Sequence, residues 1–282
     1  MTRWAGRLLV MVVIALLALG SGLSVAQAAD GDASLLGRNK LTDRPWRGIT
    51  LVAIGERIVC TGFVVGPRKV VTAAHCLTRN AARGDFRFRK GLPQKVRIYR
   101  AYSGALGGTP YRACDVSGVW AHSKFIRRNA SDQRYGSRAH DYAVLTTEPG
   151  CKYPPNSYLR MWGTQAYDGQ LNTGQRTRLG GYPADPRYRG MNGLNLWRSK
   201  GRVQPVGSDP RMLRFTGLVA QGMSGAPVWR SFGSDSPCGR QQCVVGIVTE
   251  CAVNAKGLCK KGDSERIAVR ITPSVKRNIK RR

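Results

Sequence analysis

Acidic residues are scarce in this 282-residue chain, which has 16 Asp and Glu against 46 Lys and Arg and a formal net charge of +30. The longest apolar run, Leu8–Leu19, is shorter than the roughly 20 residues that a helix needs to span a bilayer. Hydrophobic residues make up 42% of the chain, so a disordered chain and a collagen are excluded. A folded, soluble protein remains. Its basic surface is either a general aid to solubility or a face that binds polyanions.

Potential metal ligands are also few. The three histidines are His75, His122 and His140, and no pair of cysteines has the C-x2-C spacing of a zinc site. We therefore expect neither a metal nor another cofactor.

The eight cysteines suit four disulfides if the protein is exported to an oxidising compartment. Two short loops would be closed by Cys238 with Cys243 and by Cys251 with Cys259, which leaves Cys114 with Cys151. These six cysteines allow fifteen pairings, so the connectivity stays open at this point.

The first 28 residues have the pattern of a signal peptide. Arg3 and Arg7 precede the apolar run, and Ala26-Gln27-Ala28 is an A-x-A cleavage site. An uncleaved membrane anchor is the alternative. With the leader removed, we expect a secreted or periplasmic protein without a membrane span, whose residues 29–48 form an N-terminal segment or a pro-region.

Short runs of β-branched and aliphatic residues, separated by Gly and Pro, indicate an all-β protein built as barrels or as a sandwich. A terminal helix is predicted at Ser274–Lys280. The proline-rich stretch Glu148–Pro155 divides the mature chain into two comparable halves. The predicted strands are Ile49–Ile54, Ile58–Val65, Lys69–Thr72, Val96–Ala101, Tyr142–Leu145, Ala226–Trp229, Val244–Thr249 and Ile267–Ile271.

Three separate segments contain the residue types that nucleophilic acyl transfer requires: T-A-A-H-C ending at Cys76, D-Y-A-V-L starting at Asp141, and G-M-S-G-A-P starting at Gly222. A serine hydroxyl needs a base within hydrogen-bond reach, and an imidazole base needs a carboxylate that fixes its tautomer. His75, Asp141 and Ser224 supply all three groups. The amides of Gly222 and Ser224 are candidates for an oxyanion hole. His140 is interpreted as a flanking loop residue and His122 as a surface or packing residue.

These motifs, in the order His, Asp, Ser, resemble those of the trypsin/chymotrypsin-like serine proteases, especially the secreted bacterial branch that includes glutamyl endopeptidases. The resemblance implies two six-stranded antiparallel β-barrels, at residues 49–152 and 153–282, with the active site in the cleft between them and a short C-terminal helix. It also implies that the first barrel supplies the histidine and the aspartate, the second supplies the serine and the specificity pocket, and Cys60 and Cys76 form a disulfide.

The sequence departs from the family pattern at several positions. Met223 stands where the digestive enzymes have an aspartate that pairs with a new N-terminus, so we expect activation without such a pair. The residues matching the primary specificity pocket are Leu218, Val219, Val248, Thr249 and Glu250. Leu218 replaces the acid of trypsin, and Val219 and Val248 replace a Thr and a His of the glutamyl enzymes. Apolar walls favour a medium-sized apolar residue at the cleavage site.

The sequence thus predicts a secreted, monomeric serine endopeptidase that acts on proteins or peptides and does not bind nucleic acid specifically. The basic surface would allow electrostatic association with anionic polymers of the cell envelope. The alternative is a catalytically silent protein with a protease fold that binds such polymers.

Overall fold

We describe the protein from a computed structural model, which describes residues 33–55, 57–80, 85–86, 95–126, 138–163, 176–186, 190–206, 209–232, 238–239, 241–250 and 266–282. Strands dominate this part of the chain. They are β1 Ser34–Leu35, β2 Ile49–Ile54, β3 Arg57–Gly66, β4 Lys69–Thr72, β5 Thr78–Asn80, β6 Asp85–Phe86, β7 Val96–Arg100, β8 Cys114–Ala121, β9 Ala143–Thr147, β10 Arg160–Met161, β11 Arg176–Gly181, β12 Trp197–Val206, β13 Asp209–Phe215, β14 Pro227–Ser231, β15 Gln242–Glu250 and β16 Ile267–Arg270. The α-helices are α1 Ser123–Ile126 and α2 Pro273–Arg281.

The first barrel is closed by six antiparallel strands in the order β2-β3-β4-β9-β8-β7. Its interior is filled by β-branched and aliphatic side chains, because alternate residues of each strand point inward. Val52, Val64, Val70, Ile98 and Leu145 are among those buried there. Strand β4 ends shortly before His75 and strand β9 begins shortly after Asp141, and the two strands pair side by side.

The second barrel has the strand order β12-β11-β14-β15-β16-β13 and is closed by pairing between β12 and β13. Leu179, Val203, Phe215, Val228 and Val245 belong to its core. The N-terminal strand β1 pairs antiparallel with β12, and β10 pairs parallel with β15. The prediction of two six-stranded antiparallel barrels is therefore confirmed.

A shared hydrophobic core joins the two barrels. It includes Ile49 and Phe63 from the first barrel and Trp229 from the second. The ring of Trp229 also meets Trp46 edge to face, with 5.1 Å between the ring centroids. Close approach here requires glycine at position 180, because a Cβ would overlap Ile49 and Trp46. Dense packing at this interface therefore holds the two barrels together.

The C-terminal helix α2 links the second barrel back to the first. Thr272 caps it by accepting a hydrogen bond from the Val275 amide at 3.3 Å, and Val275 and Ile279 bury its apolar side. Asn278 Nδ2 donates to the Tyr142 hydroxyl at 2.9 Å. The helix thus packs beside the residue that follows Asp141, and the predicted short C-terminal helix is confirmed.

Among the described residues, no helix is both long enough and apolar enough to cross a membrane. The N-terminal segment from Ala33 to Gly48 lies against the barrels. Leu36 and Leu41 are buried in the shared core, and the Leu36 amide donates to the Leu196 carbonyl at 2.9 Å.

Three disulfides are present in the described part of the chain: Cys60–Cys76, Cys114–Cys151 and Cys238–Cys243. The suggested pairing of Cys251 with Cys259 lies outside the described residues. Cys60–Cys76 joins β3 to the turn that carries His75, whereas Cys114–Cys151 joins the start of β8 to the segment after β9.

Candidate active site

His75 and Asp141 form a tight pair at the end of the first barrel. Asp141 is 4% exposed, and its Oδ2 lies 2.7 Å from His75 Nδ1. Its other oxygen, Oδ1, accepts a hydrogen bond from the His75 backbone amide at 2.8 Å. These two contacts hold the imidazole with Nδ1 facing the carboxyl group and Nε2 facing away from it.

Short turns at the strand ends produce this geometry. His75 lies in a 3-10 helix, Ala74–Leu77, shortly after β4, and Asp141 follows a second 3-10 helix, Arg138–His140, just before β9. Thr72 of β4 pairs with Ala143 of β9, so both turns leave the same edge of the barrel. The side chains meet because antiparallel neighbours place the end of one strand beside the start of the other.

Ser224 lies in a sharp turn that leads into β14. Gly222 and Gly225 both have positive φ, +82° and +86°, which a residue with a Cβ rarely adopts. A Cβ would also overlap the Tyr182 carbonyl oxygen at position 222 and the Thr61 carbonyl oxygen at position 225. Ser224 is partly exposed, whereas Met223 before it is fully buried in the second core.

Two peptide planes of this turn are fixed by hydrogen bonds. The Gln221 carbonyl accepts from the Ala184 amide at 2.7 Å, and the Met223 carbonyl accepts from the Ala226 amide at 2.9 Å. In a trans peptide the following N–H points away from the carbonyl. The amides of Gly222 and Ser224 are thereby oriented, and neither donates to a protein atom in the part of the chain that the structure describes.

Thr61 of β3 connects the serine turn to the first barrel, a role that no sequence motif indicates. Its backbone amide donates to the Ser224 carbonyl at 2.9 Å, and its hydroxyl donates to the Gly222 carbonyl at 2.7 Å. The same hydroxyl accepts from the Tyr182 amide at 3.0 Å. Thr61 is completely buried and lies beside Cys60. A threonine within a strand carries no sequence signal of this kind.

The Cys60–Cys76 disulfide connects the surroundings of the histidine and the serine. The Sγ atom of Cys76 lies 3.9 Å from His75 Nε2 and 3.9 Å from the Ser224 carbonyl oxygen. His75 Nε2 and the backbone of the Ser224 turn therefore both lie within 4 Å of the same sulfur atom.

One group of three potential metal ligands occurs among the described residues, namely Cys60, His75 and Cys76. Both sulfurs belong to a disulfide, and thiolates are the form of cysteine that binds metals. The donor set therefore does not fit a zinc site.

The residues predicted to form the specificity pocket flank the serine turn. Leu218, Val219, Val248 and Thr249 are all buried, and the Glu250 side chain lies outside the described residues. Val219 and Val248 pack in the same cluster as Met223 and Ala226. The Thr249 hydroxyl donates to the Ile267 carbonyl at 3.3 Å. Their role in binding substrate stays a prediction.

A buried cation beside these residues was not anticipated. Arg266 is 3% exposed, and its Nη1 donates to the carbonyls of Thr216 at 3.2 Å and Gly217 at 2.6 Å. These two carbonyls immediately precede Leu218. The residue is remote in sequence from the serine motif and precedes β16, so only strand pairing in the second barrel brings it here.

A stacked pair of histidines lies behind Asp141. The rings of His122 and His140 are 4.2 Å apart and nearly parallel. Burial, followed by the nearby His122, Lys124 and Arg211, lowers the pKa of His140 to about 4. Burial, followed by Lys124, also lowers the pKa of His122. Both rings are therefore neutral near pH 7, and the ring of His122 also packs against Tyr142.

Two closed barrels with a His–Asp pair and a glycine-flanked serine at their junction define the chymotrypsin-like fold. A family model described as the trypsin-like peptidase domain matches residues 60–234, more than half of the chain. The chain therefore belongs to the trypsin-like peptidase family, as its motifs predicted.

Solved structures of proteases share the fold. A Glu endopeptidase, solved in complex with MPD, is similar with a TM-score of 0.62 and 18% identity, over 90% of this chain and 98% of that chain. A thermostable serine protease, AL20, from an extremophilic microorganism is similar with a TM-score of 0.58 and 16% identity, over 83% of this chain and 95% of that chain. No curated protein sequence matches the chain.

Proposed function

We propose that the protein is a secreted serine endopeptidase that cleaves peptide bonds through an acyl-enzyme. Membership of the trypsin-like peptidase family supports a peptidase hydrolase. The observation that carries the finer proposal is the 2.7 Å contact between His75 Nδ1 and Asp141 Oδ2, which leaves Nε2 basic beside the Ser224 turn.

In the proposed reaction, Ser224 Oγ attacks the carbonyl carbon of the scissile peptide while His75 Nε2 accepts the hydroxyl proton. Asp141 holds the imidazole in place and stabilises its positive charge. The protonated His75 then donates its proton to the leaving amine, which gives the acyl-enzyme. A water molecule, deprotonated by His75, hydrolyses the acyl-enzyme and restores Ser224.

The amides of Gly222 and Ser224 would stabilise the negative oxygen of the tetrahedral intermediate. Their orientation by the Gln221 and Met223 carbonyls means that no reorganisation is needed as the charge develops. Such a donor contributes about 3 to 4 kcal/mol in serine proteases where it has been removed. This chemistry needs no metal or cofactor.

Replacing the nucleophile tests the proposal. Ser224→Ala should abolish casein cleavage and labelling by a fluorophosphonate, whereas Ser231→Ala, at an exposed serine of β14, should retain both. Labelling that persists in Ser224→Ala would show that another residue is the nucleophile. A wild-type protein that neither cleaves casein nor reacts with the probe would favour the silent, polymer-binding alternative.

The cleavage preference is a separate part of the proposal. Leu218, Val219 and Val248 are apolar and buried beside the serine turn, which favours a medium-sized apolar residue before the scissile bond. Mass spectrometry of the peptides released from a mixed protein substrate measures this preference directly. Cleavage after acidic residues would instead point to Arg266 as the determinant.

A further inference from the structure

A cluster of four cations covers part of the outer surface of the second barrel. We call it the arginine face and define it as Arg176 and Arg178 of β11 with Lys200 and Arg202 of β12. All four residues are exposed, while their strand neighbours Thr177 and Ser199 are buried. Arg176 is paired with Arg202 and Arg178 with Lys200 in the antiparallel register. Direct partners lie on the same side of a sheet, so the four side chains share one surface.

This arrangement disfavours folding, because like charges directly opposite each other on neighbouring strands repel. Arg176, Arg178 and Arg202 take part in no ion pair within the described ranges. A bound anion would offset the repulsion. The four cations also line a pocket of about 550 Å³, together with Thr216, Trp229, Arg230 and Ser231. None of His75, Asp141 and Ser224 lines this pocket.

The spacing of the charges suits a run of anions rather than a single ion. Alternate residues of a strand lie about 7 Å apart, and paired residues lie about 5 Å apart across the strands. Guanidinium groups also match phosphate oxygens with two parallel hydrogen bonds. A linear polymer with phosphates along its backbone would contact several of these cations at once.

The same surface is poorly suited to nucleic acid. Single strands are commonly bound by aromatic rings on which the bases stack. The one aromatic residue that lines this part of the described structure is Trp229, which is 1% exposed and packs against Trp46. The face therefore offers charge without a platform for bases.

We propose that the arginine face binds a polyol-phosphate polymer of the cell envelope and so holds the exported protein at the surface where it acts. This inference rests on the proposed export of the protein. It is independent of the peptidase activity, because the face and the proposed triad share no residue. Binding should be electrostatic and should release counterions from the polymer.

A matched pair of triple variants tests the proposal on the mature full-length protein. The first is R176Q/R178Q/R202Q. The control, R277Q/K280Q/R281Q, removes the same number of charges from exposed positions of helix α2. Binding to soluble poly(glycerol phosphate) is measured by isothermal titration calorimetry over a series of salt concentrations, with a thymine oligonucleotide as a second probe.

We expect the face variant to bind poly(glycerol phosphate) about tenfold more weakly or worse at low salt. The slope of the logarithm of affinity against the logarithm of salt concentration should become shallower by about one for each phosphate that the variant no longer neutralises. The control variant should bind like the wild type. Both variants should keep casein cleavage, and the face variant should melt at the wild-type temperature or above it, because it relieves the repulsion between like charges. Equal weakening in the two variants would show that only net charge matters and would overturn the proposal. So would binding of the oligonucleotide as tight as that of poly(glycerol phosphate), or no binding by the wild type.

Discussion

At the scale of single residues, the candidate active site depends on Thr61 as well as on the proposed triad. The Thr61 hydroxyl donates a hydrogen bond to the Gly222 carbonyl and accepts one from the Tyr182 amide, and the Thr61 amide donates to the Ser224 carbonyl. This residue belongs to the first barrel, whereas its partners belong to the second. Thr61 therefore positions the serine turn relative to His75, which is attached to the same barrel.

We expect Thr61→Val to lower kcat on a peptide substrate about ten- to hundredfold with a smaller change in KM, because small displacements of catalytic groups are costly. Valine has the shape of threonine but leaves two buried backbone groups unpaired, which should cost about 1 to 3 kcal/mol of stability. Steady-state kinetics and thermal unfolding measure both effects.

Two control variants make this test specific. Thr61→Ser keeps the hydroxyl and should restore most of kcat. Thr177→Val removes another buried threonine hydroxyl, which donates to the Gly201 carbonyl, and should leave kcat unchanged. A Thr61→Val enzyme with wild-type kcat would contradict the positioning role.

At this scale the sequence indicated the residues of the proposed reaction but not the residues that hold them in position. His75, Asp141 and Ser224 were predicted because a histidine, an acid and a glycine-flanked serine each stand in a distinctive motif. Thr61 and Arg266 were missed because their contacts are made with backbone groups far away in the chain. Such contacts depend on which strands pair, and the residue type does not reveal them.

At the scale of elements, the strands with strong apolar runs were predicted and those with small or charged residues were not. Ile49–Ile54 and Lys69–Thr72 have the predicted bounds, and Val96–Arg100 ends one residue early. By contrast, β12 was missed because small residues such as Ser199 and Gly201 occupy inward positions between its cations. The same scarcity of apolar residues hid β8, β11 and β13.

The N-terminal segment is an element whose role the sequence left open between a mature segment and a pro-region. Strand β1 pairs with the outer edge of β12, and Leu36 and Leu41 are buried in the shared core. Met223, beside Ser224, offers no carboxylate for an N-terminal ammonium. We therefore propose that residues 33–48 stay with the mature enzyme as part of its fold.

Extending the mature N-terminus by a few residues should leave casein cleavage within about threefold of the wild-type rate, since no ion pair beside Ser224 depends on it. Deleting residues up to Leu41 should instead lower the melting temperature, because burying two leucines contributes about 3 to 5 kcal/mol. Activity assays on the extended form and thermal unfolding of the deletion check the two outcomes. A hundredfold loss on extension would indicate activation through a buried N-terminus.

At the scale of the whole molecule, the excess of basic residues should make the folded protein less stable as the pH is lowered. Lowering the pH adds positive charge to a chain that already has a formal charge of +30. His140 makes this effect specific, because burial and the nearby His122, Lys124 and Arg211 lower its pKa from 6.5 to about 4 in the folded protein. The unfolded chain therefore takes up this proton first as the pH falls.

The free energy of unfolding should be independent of His140 above pH 6.5 and should fall as the pH decreases from 6.5 to about 4. Melting temperatures measured over this range should decrease, and His140→Gln should decrease less. The carboxylate of Asp209 acts in a different window. Hydrogen bonds from Arg211 lower its pKa below 3.8, so its contribution is lost only in stronger acid. Parallel curves of melting temperature against pH for wild type and His140→Gln would contradict the assignment of the first effect to His140.

The local sequence was enough to indicate the candidate catalytic residues, the all-β fold class and the turns. These follow from side-chain properties and from periodicities of a few residues. The tertiary structure alone decided that Thr61 supports the serine turn, that Arg266 lies beside Leu218, and that four cations of β11 and β12 share one surface. Each of these depends on strand register, and register is set by the packing of the whole barrel rather than by any single segment.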